Sequence, residues 1–452
     1  MNTPQKHSYN KENILLLVCV LIFILSDLDF IVGYIGSTIA TRKVETVFFI
    51  FSLPLLMYLL CMLGQNKDAK RKALKGTILT VLCFFIIEGT GFFLFYISKG
   101  LVVFKKSDTT KEFIKNLMQQ EKNCYPTFPA SFEEIKINTG DKILPLTGIS
   151  NAKIIGYNEC GYYPVYKSDE YGFRNPEGIW DNERIEVVLV GDSFCLDAIH
   201  RDNETYTVPI RERFSSTINL GNGGNGPLTE LAVIKEYLQG KKIGYLFWLY
   251  YEGNDLADLG NELFPKRELT KYIEKGYKQN LKEKQRLIDQ VLKERFETIL
   301  AEKKQPVITK RKILNGLLYA CTPDFVKYKQ SINKIVGLFG KVINEARDEI
   351  SAKEGKMVFV YIPSRGRYRT PSRQLIDWYY RKKEIISVVK NLDVDIIDMN
   401  EKFKVLKDPS TMYASLGHLS TAGNKKLSDE IIKYVSADKI AEERQDVLRK
   451  ER

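Results

Sequence analysis

Histidine is scarce in this chain: there are three in 452 residues, His7, His200 and His418. With so few, and with seven cysteines at no metal-ligand spacing, a zinc module is excluded. The aromatic signature of an RNA-binding sheet is also missing, so no nucleic-acid module is expected. There is no internal repeat and no low-complexity tract. The N-terminus lacks the single short apolar core and small-residue cleavage site of a cleavable signal peptide. Acidic residues are the minority charge, 56 Asp+Glu against 68 Lys+Arg, for a net +12. That balance suits anionic partners such as lipid headgroups or an acidic polymer. No metal or cofactor is implied.

What is present first is apolar. Three runs, about Ile14–Ala40, Val44–Leu63 and Thr77–Ile97, approach or exceed the roughly 20 residues a helix needs to cross a bilayer. They predict a three-span transmembrane region over 1–104 with the lipid bilayer as partner. The loop at 65–75 carries Lys67, Lys70, Arg71, Lys72 and Lys75, which places it in the cytoplasm and residues from about Lys105 onward outside. Arg42, Lys43, Lys105 and Lys106 argue the other way. Asp27 and Asp29 in the first run mark either a functional site or the outer end of a short or re-entrant segment; Glu88 in the third stays open. Cys19, Cys61 and Cys83 read as small apolar residues of the spans. Cys124, Cys160, Cys195 and Cys321 would then meet an oxidising compartment, where Cys124 and Cys160 either pair or stay free.

Residues 105–155 read as an extracytoplasmic linker or stalk, and 156–184 as a strand and turns laid against the larger domain C-terminal to them. From Ile185 strands and helices alternate, which predicts a doubly wound parallel sheet of α/β class. The strands are Ile185–Val190, Thr217–Leu220, Tyr245–Tyr250, Met357–Ile362 and Val394–Met399; the helices are about Phe194–His200, Glu230–Gln239 and Leu375–Asn391. A helical insertion over about 263–355 interrupts the rhythm, and 437–452 is a charged tail.

The first strand ends in Gly191-Asp192-Ser193-Phe194. A strand–turn–helix junction lifts the serine to the carboxyl edge of the sheet, where α/β folds place their sites. Alone, Ser193 reads as a helix N-cap. A serine nucleophile needs a base. His7 falls on the cytoplasmic side of the predicted membrane, and His200, two helical turns beyond Ser193, is too far to hydrogen-bond it. His418 remains, in a loop after the last strand on the same edge. An oxyanion needs donors. The glycine-dense loop Gly221–Pro227 offers backbone N–H groups, with Gly221, Gly223, Gly224 and Gly226 competing, and Asn254 in Gly253-Asn254-Asp255 offers an amide. The plain alternatives are a strand-to-helix turn and a helix N-cap at Asn254 or Asp255.

These ordered blocks resemble the SGNH (GDSL-like) hydrolase superfamily over about 156–436. The resemblance implies a flavodoxin-like sheet, Ser193 as nucleophile, His418 as base, and Ser193 N–H, Gly224 N–H and the Asn254 amide as oxyanion hole. The Tyr171-Gly172-Phe173-Arg174-Asn175 stretch ahead of the serine looks like bacterial envelope members, several of which add or remove O-acyl groups on polysaccharides. The chain departs from the family where an aspartate usually precedes the histidine: Ser415 and Leu416 stand there. Ser415, a backbone carbonyl, or Asp408 is left to orient the ring. The expectation is therefore a membrane-anchored extracytoplasmic serine esterase or O-acyltransferase acting on acylated carbohydrate. The alternatives are a catalytically degenerate glycan-binding or assembly protein, or a subunit of a membrane complex.

Overall fold

Short branched runs such as Val187-Val188-Leu189-Val190 have apolar residues at every position, so they are stable only where both faces of a sheet are covered. In the computed structural model they are. It describes residues 142–263, 267–301, 324–368 and 381–450, with parts of 113–136. All fall in the unit 111–368 and 380–452. Five short strands come first: β1 (Cys124–Pro126), β2 (Ile135–Lys136), β3 (Lys142–Ile143), β4 (Lys153–Ile155) and β5 (Val165–Lys167). The central sheet comes next as β6 (Arg184–Gly191), β7 (Thr217–Asn219), β8 (Lys242–Tyr251), β9 (Lys356–Ile362) and β10 (Asp395–Asp398). Its order is β10-β9-β8-β6-β7 and every pairing is parallel. Counted from β6 this is the flavodoxin-like order, and the switch point lies between β6 and β8, where such sheets hold ligands.

The helices are α1 (Ser193–Leu196), α2 (Thr207–Arg213), α3 (Pro227–Tyr237), α4 (Asp255–Glu262), α5 (Arg267–Thr270), α6 (Gln285–Ala301), α7 (Asp324–Ser351), α8 (Lys382–Asn391), α9 (Met399–Phe403) and α10 (Thr421–Lys450). Side chains alternate across a strand. Val188, Val190, Leu246 and Trp248 therefore share one core with Leu231 and Ile234 of α3 and Phe339 and Ile343 of α7. Val187, Leu189, Phe247 and Leu249 share the other with Ile210 of α2 and Leu427 and Ile431 of α10. The segment expected as an insertion thus ends in α7, the crossover helix between β8 and β9, and the expected tail is the continuation of α10. Part of the expected stalk is core as well: Ile143, Leu144, Leu146 and Ile149 are buried.

One expectation is corrected and one open alternative is decided. No helix among the described residues is long and apolar enough to cross a membrane, so the transmembrane part of the expected fold and the multi-pass localisation find no support in the structure. The runs 14–40, 44–63 and 77–97, with Asp27, Asp29 and Glu88, lie outside the described residues. The Cys124–Cys160 disulfide is not formed: both thiols are free, Cys124 buried in the β1–β4 pair and Cys160 exposed. Cys321 lies outside the described residues.

The segment from β4 to Asn175 is bolted to the sheet as a strap, and its hub is Asp169. One carboxylate oxygen accepts the N–H groups of Tyr171 and Phe173, each at 2.9 Å. The other accepts Asn175 Nδ2 and Trp180 Nε1, each at 2.8 Å. Asn175 in turn clamps both backbone groups of Asn219 at the end of β7, and Arg174 donates to the carbonyls of Asp197 and His200. Asp169→Ala strands buried donors that each cost roughly 1–3 kcal/mol, so a loss of about 3 kcal/mol or more is expected in urea unfolding. A loss under about 1 kcal/mol contradicts the hub.

Candidate active site

β6 carries the chain to the carboxyl edge, and Asp192 turns it. The Asp192 carboxylate caps α1, accepting Phe194 N–H at 2.8 Å, which leaves Ser193 as the first helical residue with its hydroxyl outward. The helix stops after one turn because Asp197 takes a left-handed conformation, φ 56°. The expected helix to His200 is not formed. His200 is instead buried, with Nδ1 2.6 Å from Asp197 Oδ1, and makes no contact with Ser193.

His418 reaches Ser193. Its Nε2 lies 2.8 Å from Ser193 Oγ, across 225 residues of sequence. The loop that presents it is a tight hairpin. Tyr413 and Leu419 form an isolated antiparallel bridge, and Ala414 N–H donates to the His418 carbonyl at 2.7 Å. Arg365 holds the loop from outside through the carbonyls of Ala414 and Ser415. The ring also lies against Phe194, which stacks on Tyr251.

The carboxylate missing from the sequence before His418 comes from the strap. Glu159 Oε1 is 2.6 Å from His418 Nδ1, and its side chain is 6% exposed. Serine, imidazole and carboxylate thus form a continuous chain. Glu159 is placed there by the docking of its neighbours. Tyr157 N–H donates to the Ala198 carbonyl at 2.9 Å, just past the serine helix, and Gly156 packs so closely on Ala198 that a Cβ would lie 2.0 Å from its oxygen. Burial works against the imidazolium, but the hydrogen bond and charge of Glu159, helped by Asp192 and Asp197, outweigh it and hold His418 above its usual range.

The two orienters expected from sequence do other work. Asp408 caps the short turn Pro409–Met412, accepting from Ser410, and makes no contact with His418. Ser415 Oγ donates to the backbone carbonyl of Glu159 at 2.8 Å, tying the histidine loop to the strap. Ser415→Ala should therefore reduce turnover by about fivefold, the worth of roughly one net hydrogen bond, while Asp408→Ala leaves it unchanged. Steady-state rates of both variants check this; a larger loss from Asp408→Ala contradicts it. Glu159 escaped the sequence because 259 residues separate it from His418. The related signal was the Tyr-Gly-Phe-Arg-Asn stretch, whose Arg174 and Asn175 fix the strap but do not mark which of its acids faces the histidine.

The donor candidates lie at the same edge. The glycine loop packs on the serine helix: Asn222 N–H donates to the Gly191 carbonyl at 3.3 Å, and a Cβ on Gly221 would lie 2.4 Å from Leu196 N. Gly224 has φ 78°, a left-handed turn position that favours glycine. Asn254 is the N-cap residue of α4, but its side chain makes no cap bond. Its Nδ2 instead lies 3.2 Å from Asp192 Oδ2. No cluster of His, Cys, Asp or Glu able to hold a metal ion occurs among the described residues.

No family model matches the chain, and no curated protein matches it. Among solved structures it is similar to the lipase/acylhydrolase from Enterococcus faecalis, at 14% identity and a TM-score of 0.31, over 56% of this chain and 96% of that one. At that level of likeness, what the site can do is decided by its own geometry.

Proposed function

We propose that the protein is a serine-dependent ester hydrolase or O-acyltransferase of SGNH type, acting on acyl esters of carbohydrate through an acyl-serine intermediate. The observation that carries this reading is the Ser193–His418–Glu159 chain, 2.8 Å and 2.6 Å at its two links. In the first half-reaction His418 Nε2 takes the Ser193 hydroxyl proton as Oγ bonds to the ester carbon. The resulting oxyanion is met by the N–H groups of Ser193 and Gly224 and by the Asn254 amide. His418 returns the proton to the departing alcohol oxygen, leaving the acyl group on Ser193. In the second half-reaction His418 takes a proton from the incoming water or sugar hydroxyl and then gives it back to Ser193. Glu159 keeps Nδ1–H pointed at itself throughout and stabilises the imidazolium.

Carbohydrate as the alcohol is supported by the resemblance to polysaccharide O-acyl enzymes. Water as second acceptor makes the protein an esterase, and a sugar hydroxyl makes it a transferase. The full chain is incubated with p-nitrophenyl acetate and with an O-acetylated oligosaccharide, with and without an unmodified oligosaccharide as acceptor. Release of acetate or its transfer, lost in Ser193→Ala, is expected. Turnover of neither ester, or turnover indifferent to Ser193, overturns the proposal.

A further inference from the structure

Asn254 has one acceptor and two donors in its side chain, and only the donors are engaged. Nδ2 donates to Asp258 Oδ2 at 2.8 Å and to Asp192 Oδ2 at 3.2 Å. Its Oδ1 is buried without a partner among the described residues. A buried amide oxygen normally finds a donor, so this orientation is dictated by the two carboxylates facing the nitrogen. The shorter bond comes from within α4. Asp258 sits four residues on, where a helical side chain reaches back over its N-terminal neighbour, and its own N–H donates to the Asn254 carbonyl at 2.7 Å. The longer bond goes to the residue before the serine, whose other oxygen is committed to Phe194 N–H.

We propose that Asp258 is the positioning residue for the Asn254 oxyanion donor: its carboxylate fixes one N–H so that the other, held weakly by Asp192, is free to turn to the acyl oxygen above Ser193. This rests on the reading of Ser193 as an ester-attacking serine. On substrate binding the 3.2 Å bond is the one exchanged, and the 2.8 Å bond stays. The arrangement needs Asp258 as an acceptor. Once protonated it donates, Asn254 Oδ1 is the acceptor at hand, and the amide turns over with its N–H groups leaving the site. The groups facing Asp258 are the Asn254 and Asn261 amides and the Asp192 carboxyl, with Asp255 and Glu230 in the buried cluster behind. Each is neutral or acidic. Burial first, and the Asp192 charge second, push the Asp258 carboxyl up to about 6, which brings this turnover into the range where such enzymes work.

The test measures p-nitrophenyl acetate hydrolysis by the full chain from about pH 5 to about pH 9, for the unchanged protein, Asp258→Ala, Asp258→Asn and Ser193→Ala. Asp258→Ala is expected to lose about 10²-fold in kcat with little change in KM, because the donor acts in the transition state. Asp258→Asn, uncharged and able to donate like the protonated acid, is expected to be impaired nearly as much. On the acid side log kcat/KM of the unchanged protein should steepen toward a slope of about two, since both His418 and Asp258 must be deprotonated, and toward about one in Asp258→Asn. An Asp258→Ala variant within about threefold of the unchanged protein, an Asp258→Asn variant as active as the unchanged protein, or identical acid limbs overturn the inference. Loss of the Ser193 dependence is a different result: it removes the nucleophile, and the inference falls with it.

Discussion

Ser193→Ala is expected to lower kcat for ester hydrolysis by about 10⁴–10⁶-fold, and His418→Ala by a similar factor. The two act as one unit. The hydroxyl is a poor nucleophile until its proton has somewhere to go, and among the described residues Nε2 at 2.8 Å is the base touching it. Removing either partner removes the same step, so the double variant should be scarcely slower than either single one. What should survive is the contribution of the Asn254 and glycine-loop edge as the proposed oxyanion donors. Circular dichroism and urea unfolding should show both variants folded, since the Ser193 side chain bonds to His418, and His418 is partly exposed at the rim. Rates of the three proteins on one activated acetate ester check the claim. A double variant slower than either single by the product of their losses contradicts it.

The second large effect belongs to Glu159. Glu159→Gln keeps the shape but removes the charge facing Nδ1, and Glu159→Ala also removes the hydrogen bond. A loss of about 10²–10⁴-fold in kcat is expected, greatest for the change that lets the ring adopt the wrong tautomer. The pH profile should move with it. Activity requires neutral His418, so kcat/KM rises with pH through the histidine midpoint, which Glu159 holds above 6.5. Without the carboxylate, burial acts with less opposition, and the midpoint should move down in Glu159→Gln. Stability follows the opposite limb. A histidine whose folded value is raised contributes stability that is present below its unfolded value near 6.5 and lost as pH rises through the folded value. The stability gap between the unchanged protein and Glu159→Gln should therefore narrow from acid to alkaline pH. An unmoved rate profile contradicts the role given to Glu159.

Much of the sheet was legible because its signals are local. Val187 to Val190, Tyr245 to Tyr250 and Met357 to Ile362 are apolar on both alternating faces, and such runs have few stable outcomes besides a covered parallel strand. The meeting of Ser193 and His418 at one edge was legible for a related reason: strand ends fix the edge on which a residue appears, and only three histidines compete. The short reach of α1 was not, because nothing in Phe194–Ile199 marks the left-handed Asp197 that ends it. Nor was the difference between an inserted helical segment and α7, since periodicity shows an apolar stripe but not what covers it. Glu159 lay beyond reach because its place depends on three docking events at once: Asp169 folding the strap, Asn175 clamping β7, and Arg174 holding the turn after the serine. The absence of a carboxylate before His418 read as a weakness of the site. In the folded chain the carboxylate is supplied from before the serine instead of from before the histidine.

The covalent state of Ser193 is the most direct test of the serine-nucleophile mechanism. The full chain is mixed with p-nitrophenyl acetate, stopped in acid within the first turnovers, digested and examined by mass spectrometry. The mechanism predicts an acetyl group on the peptide containing Ser193, present in the unchanged protein, much reduced in His418→Ala and Glu159→Gln, and absent in Ser193→Ala. Hydrolysis without acetyl-Ser193, or acetylation of equal extent in His418→Ala, would contradict it.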